Sequence, residues 1–213
     1  MASEKRVVTI LLLLLLGAND TTGAEETTGR TFKLPHQIEI SVPNDWRLSN
    51  EEDLQQYETI SKSSLKAKGF PPKTGSAAAW VPFQAQKESG TSAASAMISL
   101  IPGEISQEQI ENWPETQIQE LVDFLMDAQQ KGLIAVGSRN VSIHSAKKIR
   151  AGGKMAIHFI MDFTGINNRR YRAEKYFVYT SARTVILTLQ WTTIPSDFAR
   201  KETEAILTSL KIR

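Results

Sequence analysis

Apolar and polar residues alternate with a period of two through most of the stretch from Arg139 to Thr192, the spacing of a β-strand whose successive side chains point to opposite faces. Lys154 to Thr164 places Met155, Ile157, Phe159, Met161 and Phe163 on one face and Ala156, His158, Ile160 and Asp162 on the other. A sheet wetted on one side would carry a more polar second face. Ala156 and Ile160 therefore predict that both faces are covered, as helices on either side would do. Upstream, Arg139 to Arg150 carries Val141, Ile143, Ser145, Lys147 and Ile149 at the same period, and Gly152-Gly153 supplies the positive-φ pair of a tight hairpin. Gly165-Ile166-Asn167-Asn168 turns the chain into a third strand, Arg169 to Thr180. Ser181-Ala182 leads to a fourth, Arg183 to Thr192, with Val185, Leu187, Leu189 and Trp191 on one face. The predicted unit is an antiparallel meander on which the other elements pack.

The rest of the chain alternates between the two periods. Ile38, Ile40 and Val42 read as a first strand that stops at Pro43, and Asn44-Asp45-Trp46 as a turn returning an aromatic ring to the core. Ser49 or Asn50 caps a helix over Glu51 to Lys68 that stops at Gly69, and Phe70 to Gly75 is a loop. Ala77 to Gln86 is a strand interrupted by Pro82, which belongs at an edge or a bulge; Ala94 to Ile101 is its neighbour across the turn Glu88 to Ser92. Ser106 caps a helical pattern running to Lys131, which Pro114 must kink or divide, with Ile118, Leu121, Val122, Leu125 and Met126 as its apolar stripe. Pro195 to Leu210 closes as a helix with Phe198, Ile206, Leu207 and Leu210 inward.

Lys5 and Arg6 precede an apolar run from Val7 to Leu16 that ends in small residues, the pattern of a secretory leader. The run is too short to span a bilayer, which takes about 20 apolar residues. Cleavage follows Ala18 or Ala24, with Ala24 preferred, and no cysteine follows either site to carry a lipid anchor. The expected organisation is therefore a signal peptide over 1–24, a flexible tail over 25–31 and one domain over 32–213, periplasmic or secreted, with no stable membrane anchor after cleavage. Loss of the leader removes Lys5, Arg6, Glu4 and Asp20, leaving 23 basic against 21 acidic residues and the same net charge of +2. That balance argues against nucleic-acid binding. The absence of cysteine removes disulfides, thiolate catalysis and cysteine-ligated metals together. Stability must come from the core, and about 180 residues are enough to bury one.

Ile38-Glu-Ile-Ser-Val-Pro-Asn-Asp-Trp46 at the start and Ala205-Ile-Leu-Thr-Ser-Leu-Lys-Ile212 at the end resemble the Mog1/PsbP-like superfamily, and the order of elements between them agrees. The resemblance covers nearly the whole mature chain, and the leader fits an exported bacterial member. It implies an α+β fold, an α/β/α sandwich with a central twisted antiparallel sheet flanked by helices on both faces. It also implies a binding or assembly factor rather than an enzyme, with no shared catalytic residues to carry over.

The chemistry visible in the chain is sparse. His36, His144 and His158 are the only histidines. If the Gly152-Gly153 turn sets the register, paired residue numbers sum to about 305, so His158 lies near Lys147 and His144 near Met161. A shared metal would need a further ligand, for which Asp162 is the nearby carboxylate; the favoured reading is instead strand-surface histidines with hydrogen-bond partners, and neither metal nor cofactor is expected. Arg169-Arg170-Tyr171-Arg172, with Lys175 beyond, could hold phosphate, anionic lipid or an acidic protein, and an exposed tyrosine beside arginine suits a protein contact. The competing reading is a solvated strand start, with Asp162 or Glu174 pairing across strands. Trp113-Pro114 and the loop from Gly69 could border a groove, or merely anchor a kinked helix. No Gly-x-Ser-x-Gly elbow, phosphate loop or dinucleotide fingerprint is present.

The expectation is thus a non-enzymatic exported binding or accessory protein that meets another envelope or secreted protein through the rim at Arg169, Arg170, Tyr171 and Arg172. The alternative is a periplasmic protein that binds a small ligand or metal through converging histidine and carboxylate groups. A third possibility, a hydrolase of unfamiliar type, requires a base beside a serine nucleophile.

Overall fold

A computed structural model describes residues 29–55, 80–103, 105–181, 183–194 and 198–213. The expected leader, residues 56–68 of the helix expected over Glu51 to Lys68, and the loop expected from Gly69 to Gly75 lie outside the described residues. The fold is α+β, mostly antiparallel sheet with a few helices.

The meander forms as its periodicity predicts. It consists of β6 (Arg139–Ala151), β7 (Lys154–Thr164), β8 (Arg170–Tyr179) and β9 (Arg183–Thr192), each paired antiparallel with the next. Gly152 and Gly153 turn the β6–β7 hairpin with φ of 58° and 83°, values that a β-carbon disfavours. The third strand starts one residue later than predicted, because Arg169 belongs to the turn: its backbone N–H donates to Asn167 Oδ1.

β9 continues the sheet into β5 (Ser92–Pro102), which pairs with β4 (Trp80–Ser89) and then the short β3 (Arg47–Leu48), giving the order β3-β4-β5-β9-β8-β7-β6. The register of β4 slips between Trp80 and Phe83, at Pro82, where a missing N–H removes a ladder bond. Three strands were not foreseen: β3 and two more that build a second sheet. β1 (Gly29–Leu34) and β10 (Lys211–Ile212) flank β2 (Ile38–Pro43) in a second, three-stranded sheet. β1 therefore starts within the segment read as a flexible tail, with Gly29, Arg30 and Thr31 paired to Pro43, Val42 and Ser41.

Asn50, not Ser49, caps the first helix: its Oδ1 accepts from the N–H of Asp53, whose carboxylate accepts from the N–H of Asn50 in return, and residues 51–55 are helical. Pro114 divides the long helical pattern into α1 (Gln107–Asn112) and α2 (Glu115–Ala135), and Ser106 and Gln109 form the predicted cap reciprocally. α2 runs past Lys131 because Leu133 still packs inward; it ends where Gly137 turns left-handed at φ 90° and Ser138 donates to the Leu133 carbonyl. The last helix, α3 (Arg200–Ser209), begins later than Pro195, after Ala199 at φ 59°.

Strand alternation divides the core. Val185, Leu187, Leu189 and Trp191 of β9 and Ala156 of β7 join Ile38, Ile40 and Trp46 with Ile206 of α3 in the largest cluster. Ile157 and Phe159, of opposite parity, pack with Ile118 and Val122 of α2, and Met161 and Phe163 with Tyr171 and Ala173. Trp46 returns to the core as expected and its indole N–H donates to Glu202 of α3 at 2.6 Å. Lys87 holds the same carboxylate at 2.8 Å and Asp45 at 2.7 Å. No helix among the described residues is long and apolar enough to cross a membrane.

Candidate functional site

Of the four predicted rim residues, Arg170, Tyr171 and Arg172 line one depression and Arg169 does not, and the three approach it from different faces of β8. Alternation along β8 sends Arg170 and Arg172 to one side and Tyr171 to the other. Tyr171 is 5% exposed, stacked on Phe163 with ring centroids 5.5 Å apart, and its hydroxyl accepts from Asn167 Nδ2 at 2.8 Å. The expectation of an exposed tyrosine is thereby corrected; Tyr171 shares the parity of Ala173 and Phe177, which is inward. Arg169 is half-buried in the turn, with its Nη1 enclosed and without a hydrogen-bond partner.

Arg172 is committed to a neighbour. Its Nε and Nη2 each donate to Asp162 across β7 at 2.9 Å, one to each carboxylate oxygen, the fork geometry that guanidinium favours. Asp162 also receives His144 Nε2 at 2.8 Å. The Arg172 guanidinium holds the Asp162 carboxyl below the usual aspartate range; burial opposes this and His144 reinforces it. His144 gets there through a bulge. The paired numbers sum as predicted from the turn to Ser145, including Lys147 opposite His158, and then the register shifts between Ile143 and Ser145. Met161 consequently pairs with Ile143, and His144 reaches Asp162 instead.

A second register shift, between Arg139 and Ser142, puts Asn140 at φ 53°. Arg170, Tyr171 and Arg172 line a depression of about 360 Å³ at this end of the sheet, together with Asn140, Asp162, Phe163, Thr164 and Thr193. Arg170 is exposed, and its guanidinium has no hydrogen-bond or ion-pair partner among the described residues. A free fork, beside amide and hydroxyl groups, can take a carboxylate or phosphate without first breaking an ion pair. Asn140 and Thr193 carried no sequence signal as part of a site: one depends on a bulge, the other on the β8–β9 register. A smaller depression of about 190 Å³ at the far end of β8 is lined by His36, Gln37, Thr180, Ser181, Arg183 and Arg213. His36 and Gln37 there hold consecutive left-handed conformations, φ 62° and 58°.

His158 lies inside rather than on the strand surface, 6% exposed, stacked on Tyr176 at 4.4 Å and bonded through Nε2 to Glu174 at 3.0 Å. Tyr176 donates its hydroxyl to the same carboxylate oxygen. Burial would raise the Glu174 carboxyl, but the bonds from His158 and Tyr176 outweigh it and hold it below the usual glutamate range. The burial of Tyr176 and its bond to Glu174 raise its phenol. The two histidines thus serve separate carboxylates, and among the described residues no three histidine or acidic side chains converge as a metal would need. Neither imidazole is directed at a serine. Trp113 packs against the α2 cluster, which leaves it the role of helix anchor.

No protein-family profile and no curated protein matches this sequence. Among solved structures, the solution structure of cyanobacterial PsbP (CyanoP) from Synechocystis sp. PCC 6803 aligns with a TM-score of 0.49 at 14% identity, over 92% of this chain and 98% of that one. A crystal structure from Bacteroides thetaiotaomicron VPI-5482 aligns with a TM-score of 0.43, also at 14% identity, over 87% of this chain and 48% of that one.

Proposed function

We propose that this chain is an exported, non-enzymatic binding or accessory protein with a Mog1/PsbP-like α/β/α sandwich, helices flanking both faces of its sheet. Its partner is another envelope or secreted protein, bound through an acidic group that docks on Arg170. The observation that carries this reading is the exposed Arg170 guanidinium, unpaired among the described residues, in a depression that Asn140, Thr164 and Thr193 also line. Arg172, held by Asp162, contributes shape and orientation rather than net charge. The remainder of the site is shallow and mixes hydroxyl and amide groups with the rings of Phe163 and Tyr171, as protein contacts do.

Nuclear magnetic resonance of the mature chain titrated with poly-glutamate tests this. The reading predicts shifts in the Arg170 Nε–H and in the amides of Asn140, Thr164 and Thr193, abolished in Arg170→Ala. Shifts confined to Lys147, Lys148 and Arg150 on the edge strand β6 would place anion binding elsewhere and contradict it.

A second reading, a small-anion site, rests on the depression of about 190 Å³ where Arg183 and Arg213 face a backbone held left-handed at His36 and Gln37. A phosphate-dependent gain in melting temperature that disappears in Arg183→Ala would favour it.

A further inference from the structure

The inward stripe of α2 runs through Ile118, Val122, Leu125 and Met126 and resumes at Leu133. Between Met126 and Leu133, at helical spacing from both, stands Gln129. On the face of β8 with the same apolar packing, Tyr171 and Ala173 belong to one cluster and Phe177 and Tyr179 to another, and between them stands Lys175. The two polar interruptions meet: Lys175 Nζ donates to Gln129 Oε1 at 2.6 Å. Directly across the sheet from Lys175 are Phe159 on β7, fully buried, and Thr188 on β9, whose hydroxyl is enclosed and has no hydrogen-bond partner.

An ammonium in this position has a neutral amide for its partner and no carboxylate among the described residues. Desolvation favours its uncharged form and lowers its pKa to about 8. At pH 7 roughly one such amine in ten is neutral and nucleophilic, against a few in ten thousand for an ordinary lysine. The cost of keeping an ammonium between two apolar clusters, with no carboxylate beside it among the described residues, is relieved by any reaction that removes the charge.

We propose that Lys175 is a reactive-amine site that captures small aldehydes as imines. The ammonium first releases a proton to solvent. The amine lone pair then forms a bond to the carbonyl carbon, and the carbonyl oxygen leaves as water, taking up the two protons lost from nitrogen. The product is a neutral imine, which suits the apolar surroundings of Lys175 better than the anionic carbamate that carbon dioxide would form. Gln129 and the unpartnered Thr188 hydroxyl are the polar groups available to hold the adduct. This site is separate from the Arg170 depression, whose lining does not include Lys175.

The test exposes the full mature chain at pH 7 to limiting propionaldehyde with cyanoborohydride, which reduces each imine to a stable secondary amine, and follows every lysine by peptide mass mapping. Lys175 is expected to label at least ~10-fold faster than the exposed Lys131. Gln129→Glu, which sets a carboxylate beside the ammonium, is expected to slow Lys175 by about 10-fold and leave Lys131 unchanged. Labelling of Lys175 at or below the rate of Lys131 in the wild type would overturn the proposal whether or not the variant folds. An unchanged rate in a folded Gln129→Glu would overturn it as well.

Discussion

Arg172 and Asp162 meet through two parallel hydrogen bonds of 2.9 Å across the β7–β8 pair, and His144 closes on the same carboxylate from β6 at 2.8 Å. Three strands are tied at one point, and the folded carboxyl titrates below its unfolded value. The stability this adds is present above the ordinary aspartate pKa and is lost as pH falls through the lower, folded one. Because the pair is about one-third exposed, Asp162→Asn should cost only about 0.5–1 kcal/mol at pH 7. Urea midpoints at pH 7 and pH 3 check this. The variant should lose less stability than the wild type between those values, and equal losses would count against the assignment.

Glu174 follows the same sign. Its folded carboxyl is also held low, so the stabilisation from His158 and Tyr176 is complete above the ordinary glutamate pKa and fades as pH falls below it. Tyr176→Phe removes one of the two bonds and should cost about 1 kcal/mol at pH 7, with a shallower loss on acidification. Denaturant titration at several pH values reads both effects; a steeper acid loss in the variant would show that the hydroxyl does not serve Glu174.

Trp46 is 1% exposed, and its indole N–H reaches Glu202, which also holds Lys87. Trp46→Phe keeps most of the apolar area but leaves that carboxylate one donor short, at a cost of about 1–2 kcal/mol. Ile206→Ala, on the inward face of the same helix and fully buried, should cost about 2–5 kcal/mol by leaving a cavity. Chemical denaturation ranks the two. If Trp46→Phe proved the larger loss, the hydrogen-bond network rather than packing would be what holds α3 to the sheet.

The β6–β7 hairpin turn separates two glycine effects. Both positions have positive φ, but a β-carbon on Gly152 would lie 3.1 Å from Ile212 Cγ1, whereas one on Gly153 meets nothing within 4 Å. Gly153→Ala should therefore cost about 1–2 kcal/mol from backbone strain alone, and Gly152→Ala more, through displacement of β10. Equal thermal shifts for the two variants would mean that Ile212 does not pack against the turn in solution.

The period-two pattern was sufficient to read the meander, its hairpin glycines and its early register, because side-chain alternation and turn chemistry are local. What escaped were features decided by distant pairing. β10 is two residues long and exists because β2 offers an edge; the strand start at Gly29 is polar and depends on the same edge. The bulge that carries His144 to Asp162 has no compositional mark. Tyr171 is instructive in another way: its parity with Phe177 was readable, but its place among arginines outweighed that signal. Lys175 was readable as inward by the same parity, and Gln129 as part of the α2 stripe, yet their meeting depends on how α2 lies over the sheet.

Crosslinking capture from the native envelope fraction tests the central claim, that Arg170 meets an acidic partner, most directly. The wild type is compared with Arg170→Ala and with Arg150→Ala, another exposed arginine, on the edge strand β6. One protein should be captured by the wild type and by Arg150→Ala and lost with Arg170→Ala, with all three chains folded. Capture of the same set by all three, or of nothing by any, would contradict a binding role for this end of the sheet.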